Sequence, residues 1–583
     1  MAVGTANEHR WIVAPPHPER ERLAREARVP ALLAQILLNR QIRTADQVRR
    51  FLLPELKELH PPERLPGAVA AAGRLLRAAR AGRRIVIYGD YDVDGVTATA
   101  ILWHALRLAG ADVDFYIPSR LEEGYGVNAE ALRQIRAAGA DLVVTVDCGI
   151  TAIEEARLAR RLGLELIVTD HHEARGELPT ADLIVHPTAL DASAPNPDLS
   201  GAGVAFKIAW SLAQQAAGMG RVTPEYRDFL VEATALAALG LVADVVPLTG
   251  ENRIIASHGL RHLCRTQNPG LRALIEVSGL TGKRRYDEYD IGFILGPRLN
   301  AVGRLGHARL AVELFTRADP QRARQIATLL DGHNRQRQAI ERQIVKQAEA
   351  MVIERGFHRA ACHGIVLASP DWHPGVVGIV AARLVERFHR PTVLIALNGQ
   401  EGQGSGRSVR HFPLHEALSA CGEHLLSFGG HAMAAGVRIA ADRIDAFTNA
   451  FLAQAARRLT PADLVPRLHL DDEVDLTDLM TDVVEVIQRM APFGVGNPRP
   501  CLATRLVELV NTPRSVGPAG QHLQFTVRQE RVHRKAVAFG RGGRLAELSD
   551  CRRLRLAFEP IINEWNGTRS VELKVIDWQP ARA

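Results

Sequence analysis

The sequence has few cysteines and no long apolar run. It contains 6 cysteines in 583 residues, and none forms a C-x-x-C pair, which disfavours a zinc ribbon or a disulfide framework and fits a reducing compartment. No stretch approaches the roughly 18 uncharged apolar residues of a membrane span, and the first residues, MAVGTANEHRWIV, lack the apolar core of a signal peptide. These absences predict a cytoplasmic protein without a membrane segment.

What is present is an ordinary globular composition with a mild basic excess. Apolar residues make up 46% and charged residues 23%, and the net charge is +7. A chain of this length exceeds the size of a single core, so several domains are expected. The excess of positive charge is compatible with a polyanionic partner but does not identify one. Residues 513–560 hold ten Arg and Lys against four Asp and Glu, which makes the C-terminal region a candidate nucleic-acid platform.

Short apolar, β-branched runs recur between residues 83 and 188, separated by helical stretches. The runs are RRIVIY, DVDFYI, DLVVTV, LELIVT and DLIVH. This alternation predicts βαβ units, and the lack of a polar face predicts a parallel sheet buried on both sides. Ligands of such sheets lie beyond the carboxyl ends of the strands. Functional residues are therefore expected directly after these runs.

The flanking segments have different patterns. Helical spacing predicts amphipathic helices over 20–80 and one long helix from Pro320 to Gly356. The runs GIVLA and PTVLIAL predict a second α/β unit. An all-β barrel is predicted by the later runs LQFTV, KAVAF, LRLAFEPII and VELKVIDW. In this barrel we expect Phe525, Phe539 and Phe558 to lie in the core and Trp565 to be exposed. The predicted fold is a multidomain α/β protein, divided into 1–80, 81–318, 319–361, 362–460 and 461–583.

The segment IVIYGDYDVDG places Asp90, Asp92 and Asp94 directly after a predicted strand. Carboxylates this close repel one another unless a cation compensates them. An EF-hand loop begins with the same D-x-D-x-D-G, but its bidentate Glu position is occupied here by Ile101, which excludes that site. An exposed acidic turn is the structural alternative.

The next two predicted strands also end on potential metal ligands. Asp147 follows LVVTV, and Asp170, His171 and His172 follow LELIVT. Singly, Asp147 fits a helix cap and the histidines fit a surface turn. Together, they converge with the first cluster at one sheet edge. Carboxylate and imidazole ligands favour Mn2+ or Mg2+, and the surplus of carboxylates suggests two ions bridged by one Asp, as in phosphoester or phosphoanhydride hydrolysis.

These motifs, GDYDVDG, VDCGI and TDHH, resemble those of the DHH phosphoesterase superfamily, and LVADVVPL matches a fourth motif that adds Asp244. The resemblance implies that one ion is held by Asp94, Asp147, His171 and Asp244, and that the other is held by Asp147, Asp92 and Asp90. It implies catalytic roles for Asp92, Asp94, Asp147 and His172, with His172 acting either through contact with the metal ligands or on the scissile phosphate, and not as a ligand itself.

Further segments resemble the RecJ family of this superfamily. They are IPSRLEEGYGVN, GPRLNAVGR, DWHPGVVGIVAARL, GSGRS, SFGGHAMAAGV and PFGVGNPRP. The resemblance implies a DHH core, a DHH-associated substrate domain and a C-terminal OB-like barrel. It also implies a monomeric 5′→3′ exonuclease that degrades single-stranded DNA to 5′-mononucleotides with two Mn2+ or Mg2+ ions in repair and recombination, with single-strand-binding protein and a RecQ-type helicase as partners.

The same resemblance identifies candidate substrate-binding residues. Arg120, Ser405 and Arg407 are similar to a 5′-phosphate pocket, and Arg298, Asn300 and Arg304 are candidate contacts to the strand backbone. Gly430 and His431 in the glycine-rich GGHAMAAG are candidate contacts near the cut. Surface arginines, a turn serine and a turn-filling histidine are the alternatives.

Two other functions are weighed against the exonuclease. A DHH hydrolase of short oligonucleotides or dinucleotides would not need the C-terminal barrel. A non-catalytic single-strand-binding replication factor would be expected to lack several ligands, whereas every Asp and His of the motif set is present.

Overall fold

The computed structural model describes residues 9–119, 123–124, 126–174, 176–218, 221–305, 308–565 and 567–581, although the side chains of residues 304, 305 and 565 are not described. The chain forms two compact units. The smaller comprises Met1–Val13 and Asn334–His469, and the larger comprises Ala14–His333 and Leu470–Ala583. Within the described residues, no helix has both the length and the apolar character needed to span a membrane.

The first half of the chain contributes a five-stranded sheet to the larger unit. The strands of this half are β1 (Arg10–Val13), β2 (Ile85–Gly89), β3 (Val113–Tyr116), β4 (Leu142–Val146), β5 (Glu165–Thr169) and β6 (Leu183–Val185). The sheet has the order β3-β2-β4-β5-β6 and is parallel throughout. Every residue of β2 and β4 is buried, which confirms the predicted parallel core and brings the strand ends to one edge.

Thirteen α-helices of the larger unit lie within the described residues of 20–316. They are α1 (Arg20–Ala27), α2 (Ala31–Asn39), α3 (Ala45–Leu52), α4 (Ala68–Arg80), α5 (Val93–Leu108), α6 (Ala129–Ala137), α7 (Ile153–Arg161), α8 (Gly201–Ala216), α9 (Pro224–Ala243), α10 (Gly250–His262), α11 (Pro269–Val277), α12 (Gly296–Leu305) and α13 (Ala308–Thr316), and a π-helical segment, Asp290–Leu295, precedes α12. Helices α4, α5, α8 and α9 share one apolar core with the sheet. The predicted long helix is α14 (Pro320–Glu354).

The smaller unit contains a mixed sheet. Its elements are β7 (Ile365–Ser369), α15 (Pro374–Phe388), β8 (Thr392–Asn398), β9 (Glu401–Arg407), α16 (Leu414–Ser419), β10 (Ser427–Gly430), β11 (Ala434–Ala440) and α17 (Ile444–Arg458), followed by β12 (Arg467–Leu470) at its boundary. The sheet order is β10-β11-β9-β8-β7, and only β7 and β8 are parallel. The glycine-rich GGHAMAAG forms the β10–β11 hairpin.

The C-terminal segment forms a closed barrel. Its elements are β13 (Asp472–Val474), α18 (Thr481–Gln488), β14 (Leu502–Thr504), β15 (Val507–Leu509), β16 (Arg514–Val516), β17 (His522–Gln529), β18 (Val532–Ala538), α19 (Leu545–Ser549), β19 (Arg553–Trp565) and β20 (Thr568–Pro580). The ring β15-β17-β18-β20-β19 closes because β19 pairs with both β15 and β20. The predicted barrel is confirmed, and it carries two short helices.

The barrel core differs from the sequence prediction at two points. Phe525 and Phe558 are buried, but Phe539 is 52% exposed and packs edge-on against His522, so its assignment to the core is wrong because it follows the end of β18. The core also includes residues of α1, α2 and α3 such as Leu23 and Leu37. The N-terminal helices therefore bury their apolar faces against the barrel.

Candidate metal centre

The first acidic cluster lies where β2 ends and α5 begins. Asp92 is the N-cap of α5, and its Oδ1 accepts hydrogen bonds from the amides of Asp94 and Gly95 at 2.9 and 3.1 Å. Asn300 Oδ1 accepts from the amide of Val93 at 3.2 Å. The D-x-D-x-D spacing therefore forms a helix start, and its amides and helix dipole favour the negative charge.

A second helix start holds Asp94. This carboxylate is buried and accepts hydrogen bonds from the amides of Gly201 and Ala202, at the beginning of α8, at 2.6 and 3.0 Å. Asp147 follows β4 with a φ of 64° and is also buried. This backbone conformation is uncommon for a residue with a side chain, although aspartate adopts it more readily than most.

His171 Nε2 is the point on which the carboxylates converge. It lies 3.0 Å from Asp147 Oδ1, 3.7 Å from Asp94 Oδ2 and 3.6 Å from Asp244 Oδ2. Ligand atoms within 4.8 Å of one another form three groups: Asp94, His171 and Asp244; Asp90, Asp92 and Asp147; and Asp147, His171 and His172. The predicted ligands are thus brought together, and Asp147 belongs to two groups. A donor set of carboxylate oxygens and imidazole fits a pair of Mn2+ or Mg2+ ions.

The electrostatics of the cluster favour a cation. Burial, and then the charge of Asp92, raise the pKa of Asp94 to about 7. Burial, and then the charge of Asp94, raise the pKa of Asp244 to about 8, and the same causes raise the pKa of Asp147 well above its usual range. Burial lowers the pKa of His171 to about 3, so its imidazole is in the neutral form that binds metal.

The stability of the ion-free protein should therefore depend on pH. A carboxyl whose folded-state pKa is raised binds its proton more tightly in the folded state, so it destabilises the fold as pH rises from its ordinary pKa towards the raised values of about 7 and about 8. A divalent cation bound between the ionised carboxylates removes this destabilisation. We expect Mn2+ to raise the Tm over the chelator-treated protein more at about pH 8 than at about pH 6. An equal increase at both pH values would contradict the assignment.

His172 is held beside the cluster by Asp170. Its Nδ1 lies 2.8 Å from Asp170 Oδ1, which also accepts the amides of His171 and His172, and Asp170 Oδ2 accepts the amide of Ile150. Burial would lower the pKa of His172, but the hydrogen bond and charge of Asp170 raise it to about 9. Both carboxylate oxygens of Asp170 thus accept hydrogen bonds from within the protein, and these bonds position His172.

Sequence reasoning missed His186, which supports the same loop. Its Nδ1 accepts from the amides of Thr188 and Ala189 at 3.0 and 2.9 Å, so its Nε2 carries the proton and donates to the carbonyl of His172 at 2.8 Å. The available signal was its place immediately after the run DLIV, at a strand end like the other site residues.

Two glycines were also missed. A Cβ added at Gly201 would lie 2.6 Å from Asp147 Cβ, and a Cβ added at Gly240 would collide with Asp94 Oδ1. Gly201 is the first residue of α8, and Gly240 lies inside α9, where glycine is otherwise unfavourable by about 1 kcal/mol. The absence of a Cβ lets both helices approach the carboxylates, and a glycine within the helical pattern of α9 was the only sequence signal.

Of the four predicted substrate-binding residues in the larger unit, the structure describes the side chains of Arg298 and Asn300. Arg298 donates from Nε to Asp331 Oδ1 at 3.0 Å and from Nη1 to the Ile294 carbonyl at 2.6 Å. Asn300 contacts the start of α5, as above. Arg304 lies in α12, but its side chain is outside the described residues, as is Arg120 altogether. Their contacts with DNA stay predictions.

The predicted contacts of the smaller unit lie on β9 and at the end of β10, two strands that are separated by β11. Arg407 Nη1 donates to Ser405 Oγ at 3.0 Å, and a Cβ added at Gly378 in α15 would lie 2.8 Å from Ser405 Oγ. Both side chains are therefore close to the N-terminal half of α15, whose dipole favours anions. The His431 amide donates to the Ala434 carbonyl across the hairpin at 2.8 Å, and Gly430 has a φ of 145°.

Three family models match successive segments of the chain. The DHH family N-terminal domain matches residues 84–237, the DHHA1 domain matches 361–457 and the RecJ OB domain matches 470–577. The single-stranded-DNA-specific exonuclease RecJ of Bacillus subtilis is 37% identical over 575 residues, which cover 98% of this chain and 71% of that protein. The chain belongs to the RecJ family. RecJ of Escherichia coli is 34% identical over 573 residues, covering 94% of this chain and 96% of that protein.

A solved RecJ structure has the same fold. The crystal structure of Thermus thermophilus RecJ in complex with Mn2+ matches with a TM-score of 0.84 at 33% identity, covering 99% of this chain and 80% of that chain. The RecJ resemblance and the fold class predicted from the sequence are both confirmed.

Proposed function

We propose that this RecJ-family chain is a metal-dependent exonuclease that degrades single-stranded DNA in the 5′→3′ direction to 5′-mononucleotides. The observation that carries the proposal is the convergence of Asp94, Asp147 and Asp244 on His171 Nε2 within 3.7 Å. It occurs in a chain 37% identical to an enzyme named as a single-stranded-DNA-specific exonuclease.

The cluster is proposed to hold two ions, Mn2+ or Mg2+. Asp94, Asp147, His171 and Asp244 would hold one, and Asp90, Asp92 and Asp147 the other. Such a pair activates water and stabilises the leaving oxygen of a phosphoryl displacement. The helix starts at α5 and α8 orient Asp92 and Asp94 by hydrogen bonds from their amides, and Asp170 holds His172 towards the scissile phosphate.

Recognition of the 5′ end is proposed to involve Ser405 and Arg407. A guanidinium offers a planar fork of donors that matches a terminal phosphate, and a helix N-terminus adds favourable electrostatics. Gly430 and His431 would contact the strand near the cut. Arg120, Arg298, Asn300 and Arg304 keep the roles in strand binding that the sequence predicts.

The cellular role is proposed from the family. We expect a cytoplasmic monomer that acts in DNA repair and recombination, with single-strand-binding protein and a RecQ-type helicase as partners. Pull-down of these proteins with the purified chain, and its mass in solution, test these points.

Digestion of single strands labelled at either end tests the proposed activity. A 5′ label should be released first as a mononucleotide with Mn2+ or Mg2+, and chelator should stop the reaction. A blunt duplex and a dinucleotide serve as competing substrates. Activity confined to the dinucleotide would favour a short-oligonucleotide hydrolase, and binding without cleavage would favour a non-catalytic factor.

Arg407→Gln should weaken the preference for a 5′-phosphate. Loss of charge-assisted hydrogen bonds to the phosphate corresponds to about 1.5 to 3 kcal/mol, or roughly 10- to 100-fold. The measurement is the ratio of kcat/KM for 5′-phosphorylated and 5′-hydroxyl strands. Arg410→Gln, at an exposed arginine three residues further along, is the control, and an unchanged ratio in Arg407→Gln would exclude Arg407 from 5′-phosphate recognition.

A further inference from the structure

A glycine-rich loop of the barrel segment packs against the loop that follows Asp244. We call residues 492–497 the brace loop and residues 245–249 the ligand loop. The amide of Leu248 in the ligand loop donates to the carbonyl of Val495 in the brace loop at 2.8 Å. Leu248 is 2% exposed, whereas Val495 is 48% exposed, so the contact buries the ligand-loop side of this bond.

The glycines of the brace loop make this contact close. A Cβ added at Gly494 would lie 2.9 Å from Leu248 Cδ1. Gly496 has a φ of 75°, and a Cβ added there would lie 2.8 Å from Thr249 Cγ2 and 3.5 Å from Pro247 Cβ. The backbone of the brace loop thus lies directly on three consecutive residues of the ligand loop.

The brace loop is itself fixed. The buried Asn497 donates from Nδ2 to the carbonyls of Met490 and Pro492, both at 2.8 Å. From α10, Arg253 donates to the carbonyls of Pro492 and Ala491 at 3.2 and 3.0 Å. A loop whose backbone groups are bonded to buried side chains is a firm support for its neighbour.

The ligand loop begins at a candidate metal ligand. Asp244 is the C-cap of α9, and Val245 has a φ of 63° and a side chain that is 63% exposed. The amide of Asp244 donates to the Gly240 carbonyl at 2.9 Å, so α9 holds its backbone from the N-terminal side, and the ligand loop holds it from the C-terminal side. A misplacement of about 1 Å is enough to impair a metal or catalytic constellation.

We infer that the brace loop is a positioning element that holds Asp244 in the metal centre and thereby couples the barrel segment to the chemistry of the DHH core. Its residues contact the ligand loop rather than the ions. The inference rests on the proposed role of Asp244 as a metal ligand. It gives the PFGVGN motif a function in metal binding.

The test is the Mn2+ affinity of Gly496→Ala, measured by titration of the full-length protein without DNA. Gly540→Ala is the matched control, because Gly540 also lies in the barrel segment and has a φ of 69°, but a Cβ there meets nothing within 4 Å. We expect the Kd for Mn2+ to rise about tenfold or more in Gly496→Ala, as for other supporting residues of metal sites, and to change little in Gly540→Ala. Nuclease activity should recover at high Mn2+.

A second substitution tests the contact itself. Thr249→Ser removes the methyl group that the new Cβ would meet, so the Gly496→Ala, Thr249→Ser double variant should regain part of the affinity. If Gly496→Ala does not fold, Gly494→Ala replaces it, since the atoms nearest to its Cβ belong to the Leu248 side chain. A Kd equal to that of Gly540→Ala would overturn the inference. Absence of nuclease activity in the unaltered protein would instead overturn the proposed function, because Mn2+ binding is measured separately.

Discussion

Asp147→Asn is expected to lower turnover on single-stranded DNA by about a thousandfold or more, which corresponds to about 4 kcal/mol of transition-state stabilisation. Asp147 Oδ1 lies 3.0 Å from His171 Nε2, and the same carboxylate belongs to the group formed with Asp90 and Asp92. Asparagine keeps the shape of the side chain but removes the negative charge and one of two oxygens. Because Asp147 is shared by two proposed ion sites, loss of its charge or of one oxygen should weaken ion binding at both sites.

The measurement combines turnover with direct binding. Asp147→Asn should bind single-stranded DNA nearly as well as the unaltered protein, because the basic barrel and the smaller unit are unchanged. Asp191→Asn, at an exposed aspartate of the same unit, should leave turnover unaltered. Undiminished turnover in Asp147→Asn would refute the two-ion assignment.

Asp170→Asn is expected to lower kcat by about 100-fold or more while reducing Mn2+ affinity much less. Asp170 Oδ1 accepts from His172 Nδ1 at 2.8 Å, and Oδ2 accepts from the amide of Ile150 at 2.9 Å. In asparagine an NH2 group replaces one carboxylate oxygen, so a donor would face either His172 Nδ1–H or the Ile150 amide. His172 would then lose its orientation, and a misplaced side chain near the reacting phosphate costs about 10²- to 10⁴-fold.

Asp182→Asn provides the control for this change. Asp182 Oδ2 accepts from the amide of Leu166 at 2.9 Å, but it precedes β6 and therefore lies at the edge of the sheet opposite the cluster. Loss of one partly buried hydrogen bond to a backbone amide should affect stability there and not kcat. Equal losses of kcat in both variants would mean that Asp170 acts only through the stability of the sheet.

The cluster was predictable because its chemistry is local in sequence. Asp92 and Asp94 follow one strand directly, and Asp147 and His171 follow two others. Since β-branched runs identify the strands and a parallel arrangement aligns their ends, the sequence predicts that the ligands converge. Asp244 ends a helix rather than a strand, so it was found only through resemblance.

What could not be predicted is the support around these ligands. Gly201 and Gly240 make room for Asp147 and Asp94 from helices that follow much later in the chain. His186 and the brace loop act through backbone carbonyls and amides, which every residue has. Such contacts carry no residue-type signal, because any sequence with the right backbone path can make them.

The sequence by itself determined the position of the acidic and histidine candidate ligands at the strand ends, the parallel core, the long helix α14 and the barrel. All depend on residue type and periodicity within short segments. Only the tertiary structure decided that Arg298 donates to Asp331, that α1 to α3 pack on the barrel and that 492–497 lies on the loop of Asp244. These features join residues far apart in the chain, and their geometry arises from packing of whole elements against one another.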